Sequence, residues 1–253
     1  MRRGRSRPAG AALAALLLPL LPLTACDRPA APAGPAAAAG DPVPDGDQAG
    51  DRAGGPGRPL PPVVDHVRTT DRVVFLTYDD GAERDPALAG LIRERRLPVT
   101  LFLTDTVAGP AYGDLARLRS VGAGLQNHTL DHRFLRGLPY AGQRAEICGQ
   151  QTKLTSRFGV RARLLRPPHG TYDTTTLRAA ADCGITALVL WRAALDADGG
   201  LTYTRGEHRL HPGDIIAVDP DHPAATHMTA RTERLLKTIE EQGLRVARME
   251  DYL

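Results

Sequence analysis

Two adjacent carboxylates and two nearby histidines have the residue types and spacing of a metal site. Asp79 and Asp80 follow the apolar run Val73–Leu76, with two residues between, and this run is typical of a buried strand. α/β folds collect their catalytic groups at the carboxyl ends of such strands. His128 and His132 are four residues apart, so one helical turn would direct both imidazoles to the same side. One carboxylate and two imidazoles supply three ligands and leave a coordination position open for water. With the second carboxylate as a base, the pattern predicts a metal-dependent hydrolase.

The elements that must position these residues alternate between short apolar runs and longer amphipathic ones. Predicted strands are Val73–Tyr78, Val99–Leu103, Gly124–Asn127, Leu164–Arg166, Ala187–Trp191, Ile215–Val218 and Arg245–Arg248. Predicted helices lie around Asp85–Arg95, Gly113–Ser120, Gln143–Phe158, Thr174–Cys183 and Thr229–Gln242. Gly122, Gly184 and Gly243 follow helical patterns, where a left-handed cap is expected. This alternation favours an α/β fold with a parallel sheet, open or closed into a barrel. Seven predicted strands are one short of the usual eight-stranded barrel.

The first 60 residues are typical of a targeting segment followed by a tether. Four arginines precede an Ala/Leu run that ends in Leu23-Thr24-Ala25-Cys26, and this run is too short to span a bilayer. Residues 1–25 resemble a bacterial lipoprotein signal, in which Cys26 receives the lipid. Ordinary secretion with a chance cysteine is the alternative. Residues 26–60 are rich in Ala, Pro and Gly and predict a disordered tether, which leaves residues 61–253 for one domain.

The charge balance depends on the targeting segment. Without residues 1–25, which hold four basic residues and no acidic ones, the chain has 28 basic and 29 acidic residues. We therefore expect no nucleic-acid partner. We expect a monomer that is exported and anchored by lipid at Cys26 to the extracytoplasmic face of the cell membrane. Cys148 and Cys183 could form a disulfide in such a compartment, although two reduced, buried cysteines are an open alternative.

Three motifs in series resemble those of the polysaccharide deacetylases. They are Leu76–Gly81, Asn127–His132 and Arg166–Gly170, and they stand in the order that the family shows. Each motif alone is a weak signal, whereas three in order are a strong one. The resemblance extends from about Asp71 to the C-terminus. It implies the NodB-homology fold, a distorted (β/α) barrel, and a hydrolase that removes acetyl groups from a polysaccharide.

The resemblance also implies roles for the motif residues. The residues that match the family's metal ligands are Asp80, His128 and His132. We expect them to hold zinc, with cobalt or nickel as alternatives. Asp79 matches the base that takes a proton from the attacking water. Arg166 matches the arginine that pairs with this base through a charge-assisted hydrogen bond. In the family, the backbone amide before the third-motif glycine stabilises the oxyanion, and here that residue is His169.

The acid half of the site departs from the family pattern. The family pairs a tryptophan with an aspartate that tunes a catalytic histidine. Here Trp191 is present, but Ala194 stands at the aspartate position and Asp196 is displaced by two. Asp219 occupies the position of the histidine, and Ala217 replaces the leucine that walls the acetyl pocket.

Three explanations for the missing acid are open. Asp219 could serve as the acid if its pKa were strongly raised. A spare histidine could replace it, namely His169, His222 or His227. Without any acid, turnover would be slower by about 10²–10⁴-fold.

Two main functions follow from these observations. The first is a metal-dependent deacetylase acting on N-acetyl groups of an envelope or extracellular polysaccharide, or on O-acetyl groups, since an alkoxide leaving group depends less on protonation. The second is a degenerate, glycan-binding lipoprotein with little or no turnover. The presence of the base, Asp79, favours the enzyme, whereas Asp219 at the position of the catalytic histidine favours the binding protein. A third function, a purely structural domain, would take up no metal. Aromatic residues form only 4% of the chain, and Trp191 and Tyr172 are the residues we predict to line a substrate pocket.

Overall fold

The computed structural model describes residues 58–196, 198–218 and 227–253. Its strands are β1 (Val63–Val64), β2 (Val73–Tyr78), β3 (Val99–Leu103), β4 (Gly124–Asn127), β5 (Leu164–Leu165), β6 (Ala187–Val189), β7 (Ala193–Leu195), β8 (Leu201–Tyr203), β9 (Ile215–Val218) and β10 (Arg245–Val246). Its α-helices are α1 (Pro86–Arg95), α2 (Asp105–Ala108), α3 (Tyr112–Ser120), α4 (Tyr140–Phe158), α5 (Thr174–Asp182) and α6 (Met228–Glu241). The predicted signal with Cys26, most of the predicted tether, Asp219 and His222 lie outside the described residues.

The strands form one curled sheet with helices packed against it. Their order is β1-β6-β5-β4-β3-β2-β9-β7-β8, and β10 pairs with the first two residues of β2. Every strand pair is parallel except the β7–β8 hairpin. The path is open, with β1 and β8 at its ends, so the described strands form a half-barrel. This half-barrel is the distorted form of the (β/α) barrel that the sequence predicted, and the predicted fold is confirmed.

The longer strands follow directly from the apolar runs of the sequence. All six residues of β2 are buried, as expected for a parallel strand covered on both faces. The bounds predicted for the strands at Val73, Val99, Gly124 and Ile215 are confirmed. Three other predicted strands are present but shorter. The sequence did not predict β1, β7 and β8, because two or three residues are too few for a periodic pattern.

The predicted helices are all present, and each of their ends lies within three residues of the predicted one. The helix predicted from Asp85 begins at Pro86, because the Asp85 side chain is its N-cap and accepts a hydrogen bond from the Ala87 N–H. The three glycines predicted as left-handed caps all have positive φ, of 112°, 83° and 66° in chain order, which confirms that prediction. Helix α4 begins directly after Pro139.

A disulfide joins the two helices that cover one side of the sheet. Helices α4 and α5 pack against each other, and Cys148 of α4 is bonded to Cys183 at the end of α5. The structure therefore selects the disulfide over the alternative of two reduced cysteines. No helix among the described residues combines the length and the hydrophobicity needed to cross a membrane.

Candidate active site

Neighbouring parallel strands bring the motif residues to one edge of the sheet. Asp79 and Asp80 follow β2, His128 follows β4, and Arg166 follows β5. Because β2, β3, β4 and β5 are parallel and adjacent, their carboxyl ends meet, as the sequence predicted. The site is thus assembled from three separate sequence motifs by the order of the strands.

The three predicted metal ligands converge. One ligand atom from each of Asp80, His128 and His132 lies within 4.8 Å of the other two, and the two imidazole Nε2 atoms are 3.2 Å apart. His128 Nδ1 lies 2.8 Å from the Arg166 carbonyl oxygen and must donate to it, so Nε2 carries the lone pair that a cation requires. Asp80 Oδ1 accepts a hydrogen bond from the Thr104 N–H at 2.8 Å.

The second oxygen of Asp80 indicates what is needed to complete this cluster. Asp80 Oδ2 is buried and has no hydrogen-bond partner among the described residues. Such buried atoms are rare and require an explanation. A divalent cation would be bound by this oxygen and the two Nε2 atoms, and all three would then have a partner. One carboxylate and two imidazoles are a ligand set suited to zinc and related ions. The residues present therefore fit a metal ion.

Burial also changes the protonation of Asp80. Loss of solvation raises the pKa of this carboxyl to about 6, although the electrostatic interaction with His128 and the hydrogen bonds from Thr104 act in the opposite direction. Without a cation the carboxylate is therefore poorly compensated. Metal binding and protonation compete for the same oxygen atoms.

His132 reaches the cluster through a loop, so the prediction of a helical turn between the two histidines was wrong. Thr129 and His132 have φ of 75° and 56°. The side chain of Asn127 accepts a hydrogen bond from the Thr129 N–H, and the Thr129 hydroxyl accepts one from the His132 N–H. Asn and Thr side chains commonly compete with helical hydrogen bonds in this way. Asn127 and Thr129 are thus positioning residues whose role the sequence analysis missed.

The predicted base and its partner form a buried ion pair. Arg166 is fully buried and Asp79 is 5% exposed, and Arg166 Nη1 donates to Asp79 Oδ1 at 2.6 Å. The guanidinium also donates to the Val189 and Leu190 carbonyls at 3.3 and 3.4 Å and stacks 4.3 Å from the centre of the Phe102 ring. Burial lowers the pKa of Arg166, and the Asp79 carboxylate counteracts that shift.

The free oxygen of Asp79 faces the metal ligands. Asp79 Oδ2 lies 3.9 Å from His128 Nε2 and has no hydrogen-bond partner among the described residues. One oxygen of the base is therefore fixed by Arg166, while the other lies beside the position that a cation and its water would take.

His169 lies next to the ligands in a short 3₁₀ turn, Pro168–Gly170, with φ of 57°. Its ring centre is 4.9 Å from that of His132, so the residue expected to supply the oxyanion amide is beside the cluster. The phenyl ring of Phe134 stacks on the His169 ring, with the ring centres 4.0 Å apart and the ring planes at 17°. Phe134 is 59% exposed. Sequence reasoning missed it, because no periodic pattern or motif marks a single aromatic residue in a loop.

A cavity of about 490 Å³ adjoins His169 and is lined by both residues predicted for the substrate pocket, Trp191 and Tyr172. Trp191 connects the cavity with the base, since its ring centre lies 5.4 Å from the Arg166 guanidinium carbon. Asp65 and Arg205 also line this cavity, and the sequence analysis did not single them out.

The acid half of the site contains small apolar residues where it is described. Ala194 of β7 and Ala217 of β9 are paired in register, so neither strand supplies a carboxylate at these positions. The displaced Asp196 is engaged locally, since its Oδ1 accepts hydrogen bonds from the N–H groups of Asp198 and Gly200. His227 directly precedes α6. Burial acts to raise the pKa of nearby Asp85, but hydrogen bonds from Thr229 and Ala87, together with the proximity of His227, lower it overall.

Comparisons with known proteins agree with this geometry. The sequence model of the family described as polysaccharide deacetylase matches residues 66–188. An uncharacterized protein of Streptomyces coelicolor is 81% identical, and the alignment covers 100% of both chains. A chitooligosaccharide deacetylase of Sinorhizobium fredii is 26% identical over 71% of this chain and 94% of its own.

The fold has solved counterparts as well. A CE4 family pseudoenzyme of Bacillus anthracis has a TM-score of 0.65 at 17% identity, covering 76% of this chain and 69% of that chain; at this identity the likeness concerns the fold alone. The segment matched by the family model contains all three motifs and every residue of the metal cluster and ion pair. Residues 66–188 of this chain form a domain of the polysaccharide deacetylase family of hydrolases.

Proposed function

We propose that this protein is a metal-dependent deacetylase that removes acetyl groups from a polysaccharide outside the cytoplasm. The observation that carries the proposal is the convergence of Asp80, His128 and His132 next to an Asp79 carboxylate fixed by Arg166. A protein that only needed to bind a cation would have no use for a second, oriented carboxylate beside it.

Each residue of the centre has a task in amide hydrolysis. A divalent cation bound by the three ligands would polarise the acetyl carbonyl and lower the pKa of a water molecule. Asp79 Oδ2 takes the proton of the attacking water, while Arg166 holds the other carboxylate oxygen and fixes the direction of transfer. In this mechanism the His169 backbone N–H donates a hydrogen bond to the developing oxyanion. The buried setting strengthens these electrostatic interactions.

Departure of the leaving group is the step for which the described residues offer the fewest catalytic groups. An amine must be protonated as it leaves, whereas an alkoxide depends less on protonation. Asp219, or one of the histidines His169, His222 and His227, would supply that proton. The pairing of Ala194 with Ala217 favours a weak acid function and therefore keeps a second candidate open, a glycan-binding protein with little or no turnover.

Acetate release from matched substrates separates these candidates. The purified protein, loaded with zinc or cobalt, is incubated with N-acetylated chitooligosaccharides and with O-acetylated xylan. We expect release that Asp79→Asn abolishes, and faster release with Asp219→His. Absence of release from every substrate, together with tight zinc uptake, would favour the binding protein. Absence of zinc uptake would refute both candidates.

An extracytoplasmic location fits the disulfide between Cys148 and Cys183, because disulfides persist in oxidising compartments. Lipid attachment at Cys26 is tested by fractionating cells that express the protein with Cys26 or with Cys26→Ala. We expect the first protein in the membrane fraction and the second in the soluble extracytoplasmic fraction. Equal distribution of the two would show that Cys26 is not the anchor.

A further inference from the structure

The cavity beside His169 adjoins the proposed reaction centre. Three of its lining residues touch that centre: the His169 ring packs against His132, the Leu190 carbonyl accepts a hydrogen bond from Arg166, and the Trp191 ring lies over Arg166. Its volume of about 490 Å³ is within the range of small-molecule sites. A sugar in this cavity would therefore be next to the sugar whose acetyl group is attacked.

The far wall of the cavity carries an excess of positive charge. Asp65 is the only acidic residue among the described residues that line it, and two arginines share this carboxylate. Arg192 donates to it through Nε and Nη2 at 3.2 and 3.1 Å, and Arg205 Nη2 lies 2.6 Å away. Burial alone would raise the pKa of Asp65, but the two guanidinium groups lower it overall. Two cations against one anion leave a net charge of about +1 at this wall.

Arg205 is the member of this cluster that a ligand can reach. Its side chain is 64% exposed, compared with 22% for Arg192, and only Arg205 of the two lines the cavity. The bond to Asp65 holds the guanidinium at the wall and uses one of its five N–H donors. A planar guanidinium held in this way suits a carboxylate, which it can bind through two parallel hydrogen bonds.

We propose that the cavity is a subsite for a sugar residue that carries a carboxylate, with Arg205 as the group that recognises it. This inference rests on the proposed deacetylase function and specifies its substrate class as acidic, N-acetylated glycans. Arg205 is then a specificity-determining residue, and the Asp65–Arg192 pair is the support that positions it.

The inference is tested with two substrates that differ only in the charge of one group. One is an N-acetylated oligosaccharide with a carboxyl group on alternate sugars; the other is the same compound with each carboxyl group converted to its amide. Zinc-loaded wild-type protein should show at least about tenfold higher kcat/KM on the acid, about 1.4 kcal/mol. Arg205→Gln should remove this preference by raising KM for the acid, with no effect on the amide substrate. Arg205→Lys, which keeps the positive charge, should retain part of the preference.

Arg209→Gln is the matched control, because Arg209 is equally exposed at 65% and pairs with Glu207, away from the cavity lining. It should leave the preference unchanged. Equal rates of wild-type protein on the two substrates would overturn the inference. An equal loss on both substrates in Arg205→Gln would do the same, because it would show that Arg205 only anchors the hairpin.

A separate measurement distinguishes failure of this inference from failure of the proposed function. If no substrate releases acetate, the deacetylase proposal fails, and calorimetric binding of the same two oligosaccharides to the metal-free protein still tests the subsite. Tighter binding of the acid, lost in Arg205→Gln, would support the subsite. Equal or absent binding of the two compounds would refute it.

Discussion

Replacing Asp80 with asparagine should stabilise the metal-free protein at neutral pH and abolish its response to zinc. Asp80 is 8% exposed, and burial raises its pKa from 3.8 to about 6. In the absence of a cation, the ionised carboxylate is therefore a liability for the fold. Asparagine keeps the oxygen that accepts the Thr104 N–H and removes the charge.

The size and sign of the effect follow from the two pKa values. Between pH 4 and 6 the folded protein holds the Asp80 proton that the unfolded chain has released. This contribution to stability is fully present below the unfolded pKa and is lost as the pH rises through about 6. A rise of the Asp80 pKa from 3.8 to about 6 corresponds to about 3 kcal/mol. At pH 8, metal-free Asp80→Asn should therefore be more stable than the wild type by about 2–3 kcal/mol, and the two should converge near pH 4.

Urea unfolding of both proteins from pH 4 to 8, with chelator and with zinc, is the assay. Zinc at 100 times its dissociation constant should add about 2.7 kcal/mol to the wild type and little to the variant. Asp173→Asn is a control of opposite sign: burial acts to raise the pKa of Asp173, but hydrogen bonds from Gly137, Thr176 and Gln143 lower it to about 2, so neutralisation should destabilise. If metal-free Asp80→Asn were less stable than the wild type at pH 8, the reasoning about a poorly compensated carboxylate would be refuted.

Three further substitutions test other parts of the site. Arg166→Met should destabilise the protein by about 3–5 kcal/mol, because it leaves the Asp79 carboxylate buried without its partner. In urea unfolding, the double variant with Asp79→Asn should lose less unfolding free energy than Arg166→Met alone, and equal losses would contradict the ion pair. Replacing both Cys148 and Cys183 with serine should cost about 3–4 kcal/mol, from the 35-residue separation that the disulfide closes, and reductant should have the same effect on the wild type only. Phe134→Ala removes a ring stacked beside the metal ligands and should raise KM for oligosaccharides severalfold with little change in unfolding free energy, since the ring is exposed; an unchanged KM would exclude a role for it in binding.

The sequence predicted what is encoded in contiguous patterns. Strand β2 is a run of six buried residues followed directly by two carboxylates, so both the element and its functional end could be predicted. The loop that carries His132 could not, because its path depends on hydrogen bonds from Asn127 and Thr129 that override the four-residue spacing. The cluster of Asp65 and Arg205 joins residues 140 positions apart, and only the folded sheet brings them together.

The two halves of the site have different consequences for what this protein can do. The half that attacks the acetyl carbonyl is assembled from buried groups, and each has a cost: an ionised Asp80 without a cation, and an Asp79–Arg166 pair that must be desolvated. A bound cation offsets the first of these costs, so metal affinity and fold stability are linked at the same oxygen atoms. The half that should protonate the leaving group presents alanines where it is described, and it adds no comparable cost. Metal uptake is therefore expected whether or not the protein turns over, and only the rate of acetate release, compared between amide and ester substrates, distinguishes an enzyme from a binding protein.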